Sequence, residues 1–204
     1  MGKTWLMKEF AKEAYKKCAY VNFEDNDMLR QLFEHDFDIQ RIINSIQWTT
    51  GVTIDTDTLI VLDEIQEAPR GITALKYFQE KAPEYHVMAA GSLLGIAMHH
   101  NDSFPVGKVD FIYLYPLSFF EFLEAVGEKR MVDLLMSKDW QTITMFRAKF
   151  EERLRQYYFV GGMPAVVAAF AEDGNLERVR TLQNGILDSY ERDFSKHAPA
   201  IEVP

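Results

Sequence analysis

Cysteine is nearly absent. Cys18 stands alone in 204 residues, which excludes an internal disulfide and suits a reducing, cytoplasmic setting. No apolar run approaches the roughly 18 residues a spanning helix needs, so no membrane span is expected. The N-terminal residues include a lysine but no apolar segment behind it, which argues against a signal peptide. Positive charge is also in short supply: 22 Lys and Arg face 31 Asp and Glu, a net charge of -9. That balance argues against a protein that grips nucleic acid backbones non-specifically. The one basic stretch is the first 17 residues, where Lys3, Lys8, Lys12, Lys16 and Lys17 outnumber Glu9 and Glu13. Internal repeats and low-complexity segments are missing. So is any Ser-His-Asp or Cys-His arrangement, and His99 and His100 are adjacent, which keeps them from converging on one metal. The acidic stretches 33–38 and 53–58 lack the glycine and terminal glutamate of a calcium loop and read as solvated surface.

What remains is a chain 48% hydrophobic and 26% charged, long enough for one large domain or one domain with an appendage. Residues 3–17 place Leu6, Phe10 and Ala14 on one stripe with Met7 and Ala11 beside it, an amphipathic helix. A short buried strand follows at 18–25, then a helical pattern over 27–48. The segment "LIVLDEIQ" (59–66) begins with four apolar residues that do not alternate, as expected of an inner parallel strand buried on both faces. A helix is expected over 71–82, a third strand over 86–92 and a fourth over 109–117. Ser118 then caps "FFEFLEAV", with Glu121 where a capping box requires it. Further helices are expected at about 129–137, 141–159, 164–172 and 175–194. Strands alternating with helices, then helices alone, divide the chain into an α/β domain over 1–117 and a helical subdomain over 118–204.

Three places carry chemistry. Gly2-Lys3-Thr4 opens a helix in the way a phosphate-binding loop ends. The lysine would reach terminal phosphates, the threonine hydroxyl would hold Mg²⁺, and the helix N-terminus would add its dipole. Asp63 and Glu64 close a buried strand, at the end of the sheet where α/β proteins bind ligands. There Asp63 would hold the metal through water, and Glu64 would orient and deprotonate an attacking water. Ser92, after the small residues of the third strand, is placed to hydrogen-bond a terminal phosphate or that water. A GTPase is disfavoured, because "LDEIQ" lacks the D-x-x-G switch and no N-K-x-D guanine reader is present.

The ordered set "GKTWLMKEF", "LIVLDEIQEAP", "AAGSLLG", "FPVGKVDFIYLYPLSFFEFL", "YYFVGGMP" and "YERDFSKHA" resembles the AAA-type P-loop ATPases of the archaeal-ATPase-like branch, which carry a C-terminal domain of unknown function. The resemblance implies a P-loop three-layer α/β sandwich, here without its first strand, followed by a helical subdomain. It implies an adenine-nucleotide partner, with ATP and Mg as cofactors and hydrolysis to ADP and phosphate. It matches Lys3 and Thr4 to the end of the Walker A motif, Asp63 and Glu64 to Walker B, and Ser92 to a sensor position. It also matches Gly162 and Pro164, within Gly161-Gly162-Met163-Pro164, to an element that contacts the base. Against that pattern the first strand and the glycine-rich part of the loop are missing, and the chain stops at Pro204, where relatives continue into their C-terminal domain. The expectation is therefore a truncated, impaired ATPase with an unidentified protein partner; the alternative is a non-hydrolysing interaction module on the same scaffold.

Overall fold

The computed structural model of the chain describes residues 2–91 and 107–197. Three of the expected strands form, and the middle one is rich in the β-branched residues that favour a strand. They are β1 (Lys17–Asn22), β2 (Thr58–Asp63) and β3 (His86–Ala90), paired in parallel in the order β1-β2-β3. All six residues of β2 are buried, as the non-alternating run demands of a central parallel strand. Its side chains sort by face. Ile60 and Leu62 join Ala19 and Val21 of β1 in the larger core, beneath Ile42, Ile43 and Ile46 of α3 (Ile39–Thr50) and Ala74 and Phe78 of α4 (Gly71–Lys81). Leu59 and Val61 face the other way and pack with Ala90 against Met7 and Ala11 of α1 (Lys3–Ala14). Helices therefore cover both faces of the sheet.

Several expectations need correction. The buried stripe of α1 is Met7 and Ala11, whereas Leu6, Phe10 and Ala14 are exposed. The helix phase explains this: Thr4, Met7, Lys8 and Ala11 share one face at spacings of three and four, and Thr4 on that face bonds to the end of β2. The helix expected over 27–48 is broken into α2 (Asp27–Arg30), a 3-10 turn (Gln31–Phe33) and α3. Aspartates cause the break. Asp36 accepts from the Asp38 N-H at 2.9 Å, and Asp38 caps α3 through the Arg41 N-H at 3.1 Å. Phe37 between them is buried and stacks on Tyr77 with centroids 4.2 Å apart. The strand expected over 109–117 does not form. Residues 110–117 carry no regular structure, and Ile112, Tyr113 and Tyr115 are exposed. A strand needs a neighbour for its backbone donors and acceptors, and among the described residues no strand pairs with this one.

Gly2–Tyr113 forms one compact unit and the chain from Leu114 forms another. The second unit is helical. Its first helix, α5 (Phe119–Ala125), begins with the expected capping box: the Glu121 N-H donates to Ser118, and Glu121 accepts from the Ser118 N-H. After it come α6 (Lys129–Ser137), α7 (Trp140–Met145), α8 (Arg147–Val160), α9 (Pro164–Asp173) and α10 (Leu176–His197). The expected single helix over 141–159 is split at Phe146, where the β-branched run Thr142-Ile143-Thr144 gives way to stronger helix formers. Phe122, Val160, Val166, Val167, Phe170 and Val179 form the main core of this unit.

Candidate functional site

The site grows from the C-terminal end of β2. Asp63 is the last residue of that strand and is only 2% exposed. Its Oδ2 accepts from the Thr4 hydroxyl at 2.7 Å and from the Tyr20 hydroxyl at 2.8 Å, while Oδ1 accepts from the Glu64 N-H at 3.1 Å. All three donors are neutral, and Asp63 makes no ion pair among the described residues. A buried carboxylate ordinarily finds a cation, a metal or hydrogen bonds, and here three hydrogen bonds hold it.

Thr4 reaches Asp63 because α1 starts beside the strand end. Gly2 stands at its N-cap in the left-handed region (φ 97°), a conformation glycine adopts without strain, and has no side chain with which to cap. The first turn carries Lys3 and no acidic residue, so its free amides and the helix dipole favour an anion there. Lys3 is half-buried and makes no ion pair among the described residues. Lys8, on the face of α1 that carries Thr4, lies with its Nζ 4.0 Å from the centre of the Tyr20 ring.

Glu64 is placed differently from the expectation of a strand residue. It lies past the end of β2 in the left-handed region (φ 51°), at the start of a 3-10 turn over Ile65–Glu67. Its Oε2 accepts from the Gln66 side-chain amide at 2.6 Å, and Gln66 Oε1 is buried with no hydrogen-bond partner among the described residues. The turn is held tightly from below. A Cβ on Gly71 would lie 2.9 Å from both Cγ1 and the carbonyl oxygen of Ile65, so α4 can start there only with glycine. Non-glycine residues in the left-handed region, here Glu64 and Arg70 at the two ends of the loop, are strained and concentrate at functional positions.

Tyr20 and Gln66 escape a reading by motif. Tyr20 pairs in register with Val61, two residues before Asp63, and so sits diagonally across from the carboxylate on the same sheet face. Burial, and then the bond it donates to Asp63, push its hydroxyl well above the usual tyrosine range. The only signal in the sequence is a tyrosine among the apolar residues of β1.

Of the other expected site residues, Ser92 lies outside the described residues. Gly162 and Pro164 belong to the second unit, where Gly162 is packed against the segment before α5. A Cβ there would lie 2.3 Å from the Leu117 carbonyl oxygen, and the Leu117 N-H donates to the Gly162 carbonyl at 2.7 Å. Pro164 is exposed and takes the first position of α9, where its fixed φ suits a helix start. Three arginines that could have served a phosphate are engaged locally. Arg41 pairs with Asp36, Arg70 donates to the Glu34 carbonyl, and Arg153 pairs with Glu128.

A threonine at an uncapped helix start, bonded to a buried aspartate at a parallel strand end, is the arrangement of a nucleotide-binding α/β domain. Residues 1–123 match the AAA domain family. The chain belongs to that family. An AAA domain is a nucleotide-binding domain, and residues 151–204 of this AAA protein match a domain of unknown function (DUF8612). No curated protein and no solved structure matches the chain. Among the described residues, no helix is long and apolar enough to cross a membrane.

Proposed function

We propose that this AAA domain binds ATP with Mg²⁺ and belongs to an ATPase that yields ADP and phosphate. The observation that carries the reading is Asp63, buried and facing Thr4 with neutral donors only. The donor set suits magnesium. It offers hard oxygens from one carboxylate and one hydroxyl, and Mg²⁺ is ordinarily held by one or two carboxylates plus substrate phosphates and water. Among the described residues, no cluster of three His, Cys, Asp or Glu provides a closed site for another metal. Thr4 would hold the ion directly and Asp63 through water, and the bound ion would neutralise charge on the terminal phosphates.

The chain's own residues do the rest. Lys3 and the free amides of the first turn of α1 bind phosphate oxygens. Glu64, held by Gln66 on one oxygen, orients a water and takes its proton. Ser92 would contact the terminal phosphate. Isothermal titration of ATP, with Mg²⁺ and with EDTA, tests the reading. Binding should depend on Mg²⁺ and lose that dependence in Asp63→Asn. No detectable binding up to about 10 mM, a free energy of only about 2.7 kcal/mol, would refute it. Turnover, measured as phosphate release, would exclude a non-hydrolysing module.

A further inference from the structure

A carboxylate offers four lone-pair sites, and at Asp63 the hydrogen bonds fill them unevenly. Both sites on Oδ2 are taken, one by Thr4 and one by Tyr20. On Oδ1 one site is taken by the Glu64 N-H. Among the described residues, a single acceptor site therefore remains open, and it is on Oδ1. Thr4 has its only hydroxyl proton committed to Asp63, so the lone pairs of its oxygen are what it can offer a cation. The Glu64 amide and the Thr4 hydroxyl come with the loop and helix of the site itself. Tyr20 does not: it comes from the neighbouring strand, and a phenylalanine there would fill the same volume and keep the same ring beneath Lys8.

We propose that Tyr20 is a positioning residue for the divalent cation of this site. By closing Oδ2, it leaves Asp63 one oxygen and one direction from which to hold a metal-bound water. It also pins the carboxylate so that Thr4 keeps its proton on Asp63 and its lone pairs toward the metal. Without the hydroxyl, Oδ2 regains a free site, the carboxylate can rotate, and water is held at two competing positions. The inference rests on the Mg²⁺ reading above and deepens it. Partners that orient a metal's ligands typically contribute 10–100-fold to affinity, and one of three hydrogen bonds on a water-mediated ligand belongs at the lower end of that range.

The test uses the full chain as wild type, Tyr20→Phe and Asp63→Asn, with circular dichroism to match their folding. Mn²⁺ affinity is read by electron paramagnetic resonance of the free ion, and ADP affinity is measured in EDTA. Tyr20→Phe should weaken Mn²⁺ about tenfold and leave ADP affinity in EDTA within about twofold. A Tyr20→Phe chain that loses Mn²⁺ and metal-free ADP binding equally, that melts earlier with unchanged Mn²⁺ affinity, or that does not fold overturns the proposal. Its hydroxyl would then serve packing alone. If the wild type binds no ADP, the nucleotide reading fails and the Mn²⁺ titration still decides. A Mn²⁺ site abolished in Asp63→Asn and weakened in Tyr20→Phe upholds the role of Tyr20, and no Mn²⁺ site at all removes it.

Discussion

Gly162→Ala puts a methyl group where the fold has no room. Its Cβ would lie 2.3 Å from the Leu117 carbonyl oxygen, 2.8 Å from the Leu117 nitrogen and 2.9 Å from the Pro116 Cβ. Two of these are backbone atoms, which cannot rotate aside. The segment is also tied down: the Leu117 N-H donates to the Gly162 carbonyl at 2.7 Å, and the Tyr157 hydroxyl donates to the Leu117 carbonyl at 2.8 Å. To reach ordinary contact at 3.4 Å the Leu117 oxygen must retreat by about 1 Å, enough to break one or both bonds. Overpacking costs about 1–3 kcal/mol and each lost bond about 1 kcal/mol. The total is about 2–5 kcal/mol, or roughly 5–15 °C in melting temperature for a chain of this size. The assay is urea and thermal unfolding followed by far-ultraviolet circular dichroism. Gly185→Ala is the control of opposite sign. It lies inside α10 with no heavy atom within 4 Å of the new Cβ, so alanine should add about 0.5–1 kcal/mol. A Gly162→Ala protein within about 0.5 kcal/mol of wild type would refute the steric reasoning.

Three further outcomes are expected. Glu64→Gln should leave ATP binding nearly unchanged and lower turnover by about 10²–10⁴-fold in a context where the chain hydrolyses ATP, measured by phosphate release; turnover at the parent rate would show that Glu64 is not the base. Pro164→Ala should weaken adenine nucleotide binding more than it lowers the ligand-free melting temperature if Gly161-Gly162-Met163-Pro164 reads the base, and the reverse order would leave Pro164 as a helix start only. Glu128 accepts from Lys149 at 2.8 Å and Arg153 at 2.7 Å, and these bonds, Lys149 first, hold its carboxyl below the usual carboxylate range. A depressed folded-state value means stability that is present above the unfolded carboxylate range and lost as pH falls through the folded one. The melting-temperature gap between wild type and Glu128→Gln should therefore be constant at neutral pH and close progressively below about pH 4; a gap independent of pH would show that the charge plays no part.

By itself the sequence determined the elements whose signals are local. The four apolar residues that open "LIVLDEIQ" (59–66) read as an inner strand because they do not alternate, and all four are buried. Ser118 and Glu121 read as a capping box because both partners lie within one turn, and the box forms. Asp63 and Thr4 stand out for the same reason, each marked by its immediate neighbours. Tertiary structure decided what depends on residues distant in sequence. The phase of α1 follows Thr4 to Asp63 across 59 positions, so Met7 and Ala11 face the sheet while Leu6 and Phe10, equally apolar, do not. The apolar segment 109–117 has strand composition and forms no strand, because β structure requires a partner edge as well as a propensity. Tyr20 reaches Asp63 only through the parallel register of β1 on β2. Composition fixes which side chains can be buried or can bond; which of them meet is settled by packing, since a hydrogen bond or an ion pair forms only where the fold brings both partners to the same place.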